Sequence, residues 1–264
     1  MDKFKILGDR MNFSVLLLFF IVGTIFGSFY NVVGYRVPKG ESLIYPSSHC
    51  TKCNHKLGVI DLIPILSYMF LGGKCRKCKD KISCFYPIFE FITGLLFALS
   101  YYVFGFSIDC LLAIVFLSML VIIIISDYQT MIIPDGVLMV FSAIIIVIKF
   151  YMTNLESVGI SILHGIGAFI FLLLIKLLGD FLFKKESMGG GDIKLLAVFG
   201  LMFGFPMSIV SVFIAAFIAL PVSLIIIKKK SNHEIPFGPF LAISAILIVL
   251  LKLDFNIIIN LITI

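Results

Sequence analysis

The chain alternates between long apolar runs and short polar or Gly/Pro breaks. The runs fall at about 13–34, 86–104, 109–126, 133–152, 158–183, 193–204, 206–228 and 236–260. Most approach the ~20 residues that carry a helix across a bilayer. Only 193–228 is ambiguous: as one helix of 36 residues it would be roughly 54 Å long, against a ~30 Å hydrocarbon core. Gly204-Phe205-Pro206 offers a break, so the stretch divides in two, and its first piece is short for a full crossing. The first run follows a polar, mildly basic Met1–Asn12, an arrangement that resembles a signal peptide. It continues through Gly23–Val33 with no A-x-A site behind it, and so reads as a retained helix. The pattern predicts an all-α polytopic membrane protein with about eight transmembrane helices.

Composition agrees. The chain is 61% hydrophobic and 14% charged, with a mean hydropathy of +1.15. Soluble domains are about 45–50% apolar and about 25% charged. The net charge of +6 is gathered in loops, so it reports topology rather than nucleic-acid binding. Arg36, Lys39, Lys52, Lys56, Lys74, Arg76, Lys77, Lys79 and Lys81 crowd the loop 36–84. Lys184, Lys185 and Lys194 form a second group and Lys228, Lys229 and Lys230 a third, making 15 of the 21 basic residues. Basic residues mark the cytoplasmic side. Eight spans with both termini outside place all 15 inside, whereas a single span over 193–228 would put Lys228–Lys230 outside.

The loop 36–85 is the one candidate extramembrane domain. Cys50-Thr51-Lys52-Cys53 and Cys75-Arg76-Lys77-Cys78 form two CxxC turns. Four thiolates delivered in pairs suit a tetrahedral Zn²⁺ with Zn–S bonds of about 2.3 Å. A loop this short folds poorly on apolar burial alone, and a structural zinc would staple it. Two disulfides or four free thiols are the alternatives, and a reducing cytoplasm disfavours the disulfides. Cys84 and Cys110 stand outside the pattern and read as packed thiols.

Two aspartates carry the candidate chemistry. Asp127 follows the run ending Ile125-Ser126, and Asp192 follows Gly189-Gly190-Gly191. A carboxylate at the edge of a membrane span is costly to keep and marks a functional site by default. Two spans separate them, so both lie at the cytoplasmic face, and they meet only if the third and sixth spans pack together. Three readings follow. An aspartic-protease pair would share one proton and activate water, with the glycines letting a substrate strand approach. A proton- or cation-coupled transporter would use them as an ion path, although such sites usually lie near the midplane. Or each aspartate caps a helix, with Asp192 as the N-cap of the helix that begins at Ile193.

Several blocks then resemble one family. Gly27-Ser28-Phe29-Tyr30-Asn31-Val32-Val33 with Tyr35-Arg36-Val37-Pro38 resembles its first-span signature. Pro64-Ile65-Leu66-Ser67-Tyr68, Gly73-Lys74-Cys75-Arg76, and Ile82-Ser83 with Tyr86-Pro87 and Glu90 resemble its cytoplasmic domain. Asp127 with Ile133-Pro134-Asp135, and Met188-Gly189-Gly190-Gly191-Asp192-Ile193-Lys194-Leu195, resemble its two catalytic blocks. Ile235-Pro236-Phe237-Gly238-Pro239-Phe240 resembles its last-span signature. In these blocks the chain is similar to the prepilin peptidases, or type IV leader peptidases, of the GxGD class of membrane aspartic proteases.

The resemblance implies an enzyme of the bacterial cytoplasmic membrane. It would cut the short basic leader of type IV prepilins and pseudopilins on the cytoplasmic side, between Gly and a hydrophobic residue, often Phe. Asp127 and Asp192 would be catalytic, with Gly189, Gly191, Asp135, Glu90 and Lys194 as substrate-binding or supporting residues. Many members also methylate the new N-terminus from S-adenosylmethionine, and Gly73 and Lys74 match a motif linked to that activity. The chain departs nearby: Gly72 stands where Arg is common, and Asp61-Leu62-Ile63 where Asp-Asn-Ile is common. The expected division is a transmembrane helix over 1–35, a cytoplasmic four-cysteine zinc domain over 36–85 and a transmembrane peptidase domain over 86–264. The expected partners are the pilin precursors and the lipid bilayer, with no nucleic acid.

Other residues keep open readings. Asp135 either supports the pair, binds substrate or starts a helix after Pro134. Glu90 contacts the basic leader or Asn31, or is an interfacial carboxylate. Lys176 and Asp180, four apart on a helix, are expected to pair locally.

Overall fold

The computed structural model describes residues 12–229 and 235–255. The expectations placed on Met1–Met11, on Lys228–Lys230 and on residues 256–260 fall wholly or partly outside them. Helices follow in the order α1 (Phe13–Arg36), α2 (Leu66–Phe70), α3 (Phe85–Phe104), α4 (Ile108–Thr130) and α5 (Asp135–Met152). Then come α6 (Leu155–Phe183), α7 (Gly190–Phe203), α8 (Phe205–Lys229) and α9 (Gly238–Leu250). Six of them, α1, α3, α4, α5, α6 and α8, are long and apolar enough to cross a membrane. The chain is thus a helical, multi-pass membrane protein. α7, with 14 residues, rises only about 21 Å, so the short first piece of 193–228 is indeed short.

Local chemistry sets the helix ends. Asn12 caps α1 through a bond from the Ser14 N–H, and Asn154 caps α6 through one from Ser157. α7 and α8 part at Gly204, whose φ of +89° suits only glycine. α4 differs from expectation. It runs one turn past Asp127 to Thr130, whose hydroxyl donates back to the Ser126 carbonyl at 2.8 Å. Asp127 therefore lies inside the helix rather than at a break.

The chain divides into two compact units, Met1–Ile114 and Val115–Ile264. In the first, α1 and α3 cross closely: a Cβ on Gly23 would lie 2.8 Å from the Gly94 Cα, and one on Gly27 2.9 Å from the Glu90 Cα. Small residues bring helix backbones together where no hydrophobic force separates helix from lipid. The second unit repeats the device where α6 crosses α7, since a Cβ on Gly200 would meet the His164 carbonyl at 2.5 Å. Phe116, Phe199 and Phe203 pack edge-on and tilted around it. The Lys149 ammonium donates to the carbonyls of Leu201 and Met202 at 2.6 and 3.0 Å, satisfying the C-terminal end of α7.

Candidate active site

Asp127, in the last turn of α4, is 5% exposed, and Asp192, in the first turn of α7, is 7% exposed. Both belong to the second unit. What joins them is the turn after α4. Met131 takes φ +55° and ends the helix, and the Ser126 hydroxyl donates to the Ile132 carbonyl at 2.5 Å. The reversal puts Ile133 between two glycines. A Cβ on Gly191 would lie 2.8 Å from the Ile133 Cβ, and one on Gly238 would lie 3.2 Å from its Cδ1. Gly238 opens α9, its N–H donates to the Asp127 carboxylate, and a Cβ there would sit 2.5 Å from Oδ2. A Cβ on Gly189 would stand 3.4 Å from the Asp192 Oδ2, whereas Gly190 faces open space. Each carboxylate thus meets the N-terminal end of a helix, where free N–H groups favour negative charge.

The capping reading of Asp192 does not hold. α7 starts at Gly190, Gly189 occupies the N-cap, and no side chain caps it. Asp192 lies inside the first turn instead, with its carboxylate free for other contacts.

The four cysteines converge on one point. Their sulfurs all lie within 4.8 Å of one another, with Cys50–Cys78 at 3.7 Å and Cys53–Cys75 at 4.0 Å. A tetrahedron with 2.3 Å bonds sets its sulfurs about 3.8 Å apart, so the set fits a zinc-sized ion. The two turns share one build. Cys50 N–H donates to His55 O and Cys75 N–H to Asp80 O, while Leu57 pairs with Ser48 as Ile82 does with Gly73. N–H bonds from Cys53 and then Lys52 bring the Cys50 thiol down to about 6. At Cys78 the Asp80 N–H favours the thiolate, but lost hydration and the three neighbouring sulfurs outweigh it and push the thiol up to about 12.

The remaining residues sort by contact. Asp135 opens α5, and both of its oxygens accept from the Lys194 ammonium at 2.7 Å, an exposed pair that ties the two aspartate blocks together. These two residues stand at one end of a groove of about 680 Å³ lined by apolar side chains of α5, α6 and α7. Glu90 accepts from the Ile65 N–H at 2.7 Å and from the Ser28 hydroxyl. Asn31 does not turn to Glu90 but donates to the Gly27 and Tyr86 carbonyls, both at 3.2 Å. Gly73 takes φ +67°, and a Cβ there would meet the Tyr68 ring at 2.9 Å, while Lys74 is exposed. Two expectations need correcting. Asp180 bonds the N–H and hydroxyl of Ser187 at 2.6 and 2.8 Å, and Lys176 turns to Glu186 at 3.7 Å, because the chain after α6 folds back within reach. Cys84 is exposed, not packed, whereas Cys110 is buried. Sequence reasoning left Gly238 and Ile133 out of the site. The Pro236-Phe237-Gly238-Pro239 break was the available signal for the first, and the Ile133-Pro134-Asp135 block for the second, though neither shows the packing role.

Residues 21–104 match the family model of the Bacterial Peptidase A24 N-terminal domain, and residues 114–224 match that of the Type IV leader peptidase family. The chain belongs to the type IV leader peptidase family. A Bacillus subtilis (strain 168) protein named prepilin leader peptidase/N-methyltransferase is 34% identical over 236 residues, covering 88% of this chain and 93% of that protein. Proteins of the same name from Vibrio cholerae and Neisseria gonorrhoeae are 31% identical over 257 residues and 30% over 250. These cover 90% and 85% of this chain, and 97% and 86% of those proteins. No solved structure matches. The family is one of peptidases, so the transporter reading is not favoured. Both aspartates lie within the matched peptidase region and all four cysteines within the matched N-terminal domain.

Proposed function

We propose that the chain is a membrane aspartic endopeptidase that removes the short basic leader of type IV prepilins and pseudopilins, with Asp127 and Asp192 as its catalytic pair. The observation that carries this reading is that two buried carboxylates, from separate blocks of a peptidase-family chain, each stand against a glycine, with Ile133 packed between Gly191 and Gly238. Two carboxylates brought to one substrate bond do not both ionise easily and share one proton. The ionised one takes a proton from water as the water oxygen attacks the scissile carbonyl carbon. The protonated one donates a hydrogen bond to the carbonyl oxygen as it becomes negative. The tetrahedral intermediate then collapses, the C–N bond breaks, and the leaving amine takes a proton from the pair. Gly189 leaves space beside the Asp192 carboxylate, Gly191 admits Ile133, and Gly238 holds Asp127 by its N–H. Asp135 and Lys194 stand where the apolar groove begins, which suits a hydrophobic residue after the scissile bond.

In this reading the protein lies in the bacterial cytoplasmic membrane with the aspartates facing the cytoplasm, which the clustering of basic residues supports. Cys50, Cys53, Cys75 and Cys78 hold a structural Zn²⁺ that staples the loop 36–85, and residues 86–264 carry the peptidase. The names of the relatives include N-methyltransferase. We assign that second activity to this chain too, with S-adenosylmethionine as methyl donor and Gly73 and Lys74 near the site. Their contacts indicate that Gly73 shapes the turn and that Lys74 is the residue free to meet a ligand.

The test is incubation of the purified protein with a peptide bearing a basic leader and a Gly-Phe junction, with and without labelled S-adenosylmethionine. Cleavage at the junction is expected, followed by label on the new N-terminus. An intact peptide would defeat the peptidase assignment, and cleavage without label would remove the methyl transfer alone.

A further inference from the structure

We infer that the segment between the two cysteine turns, residues 57–71, lies in the interfacial layer of the bilayer, with the basic residues on either side of it resting on anionic lipid headgroups. Eleven of its fifteen residues are apolar and Asp61 is its single charge. Val59 and Ile60 are 84% and 68% exposed, and Met69 and Phe70 are 68% and 86% exposed. Contiguous apolar side chains of this size on an extramembrane loop mark a surface that meets an apolar partner.

Two observations say that the partner is lipid. The first is depth. Ile65 takes φ +62°, a region that disfavours a β-branched residue, and the Glu90 carboxylate holds its N–H there at 2.7 Å. Glu90 lies in the second turn of α3, so the segment sits level with the start of an apolar span rather than out in the cytoplasm. The far end is tied to the same level, since the Tyr68 hydroxyl donates to the Ile82 carbonyl and the Ile82 N–H to Gly73, just before α3. The second is charge. Lys52 and Lys56 precede the run, and Lys74, Arg76, Lys77, Lys79 and Lys81 follow it. Lys52 pairs with Asp80 and Arg76 with Asp61, and the other five form no ion pair among the described residues. An apolar segment flanked by bases complements acyl chains beneath anionic headgroups. The zinc-sized site holds the two basic flanks together, so the apolar run leaves them as one loop.

The chain contains no tryptophan, so Val59→Trp and Phe70→Trp each give a single reporter in the full chain. Each variant is placed in nanodiscs of zwitterionic lipid or of zwitterionic lipid mixed with phosphatidylglycerol, with metal content checking the loop. Brominated lipids are expected to quench both reporters about twofold or more, acrylamide to quench them weakly, and the anionic discs to give the stronger lipid quenching. Reporters quenched by acrylamide and untouched by brominated lipid would overturn the inference. So would reporters shielded from both, since another protein surface would then cover the segment. Equal lipid quenching in both discs would remove the headgroup contact.

Discussion

The four cysteines come from two short turns that each close on their own backbone, whereas the two aspartates come from helix ends 65 residues apart in sequence. Both clusters hold like-charged groups together, but they stabilise the arrangement differently. The cysteine cluster is only partly buried, takes its geometry from local N–H bonds, and could hold a cation between its four sulfurs. The aspartates are buried, and their approach depends on Ile133 fitting between Gly191 and Gly238. The cysteine cluster is thus set by spacing and the aspartate pair by helix packing, so the two are expected to fail independently.

The largest effects belong to the aspartates. Asp127→Asn and Asp192→Asn are each expected to lower leader cleavage by about 10³-fold or more while leaving the helices inserted. Normal processing by either variant would end the assignment. Gly238→Ala is next: its methyl group would press on the Asp127 Oδ2, and displacement of a catalytic group by about 1 Å costs about 10²-fold. The glycine triplet sharpens the point. Gly191→Ala should cost activity because its methyl group meets the branched Cβ of Ile133, whereas Gly190→Ala faces open space and should stay within about twofold of the parent. Equal rates for these two variants would mean that the close packing does not position the pair.

Cys50→Ser tests the other cluster. It should strip the metal and make the loop 36–85 sensitive to protease, with a smaller loss of leader cleavage, within about tenfold. Loss of cleavage with a metal-loaded, protease-resistant loop would contradict the separation. The smallest effect concerns Asp61, which the Arg76 guanidinium and then the Gly58 N–H hold below the usual carboxylate range. A lowered folded value stabilises the loop above the unfolded value of about 4, and that contribution is lost as pH falls through the folded value. Arg76→Gln should therefore make loop protection less steep in acid and change neutral-pH stability by about 1 kcal/mol, as for a pair whose arginine is half exposed.

These differences track what the sequence made legible. Among the described residues the apolar runs located every helix longer than five residues, because hydrophobicity over some twenty positions does not depend on neighbours. Boundaries depended on single side chains and went astray where those acted at a distance. The Thr130 hydroxyl carried α4 past Asp127, and Gly189 took the cap that a rule based on residue type gave to Asp192. Lys176 and Asp180 had ideal helical spacing, yet Ser187 and Glu186, beyond the helix end, took both partners. The cysteine cluster was readable because its geometry lies within a few residues of each turn. Sequence put both aspartates at one face and left their meeting open, since Ile133 and Gly238 show their roles only when three helix ends are assembled.

A double-variant comparison tests that assembly most directly. Cleavage of the basic-leader Gly-Phe peptide is measured for Asp127→Asn, Asp192→Asn and the variant carrying both, each checked for insertion. If the two carboxylates act as one device, each single loss equals the double loss, because either substitution removes the shared proton chemistry. Losses that multiply, or a single variant that retains substantial cleavage, would contradict a catalytic pair.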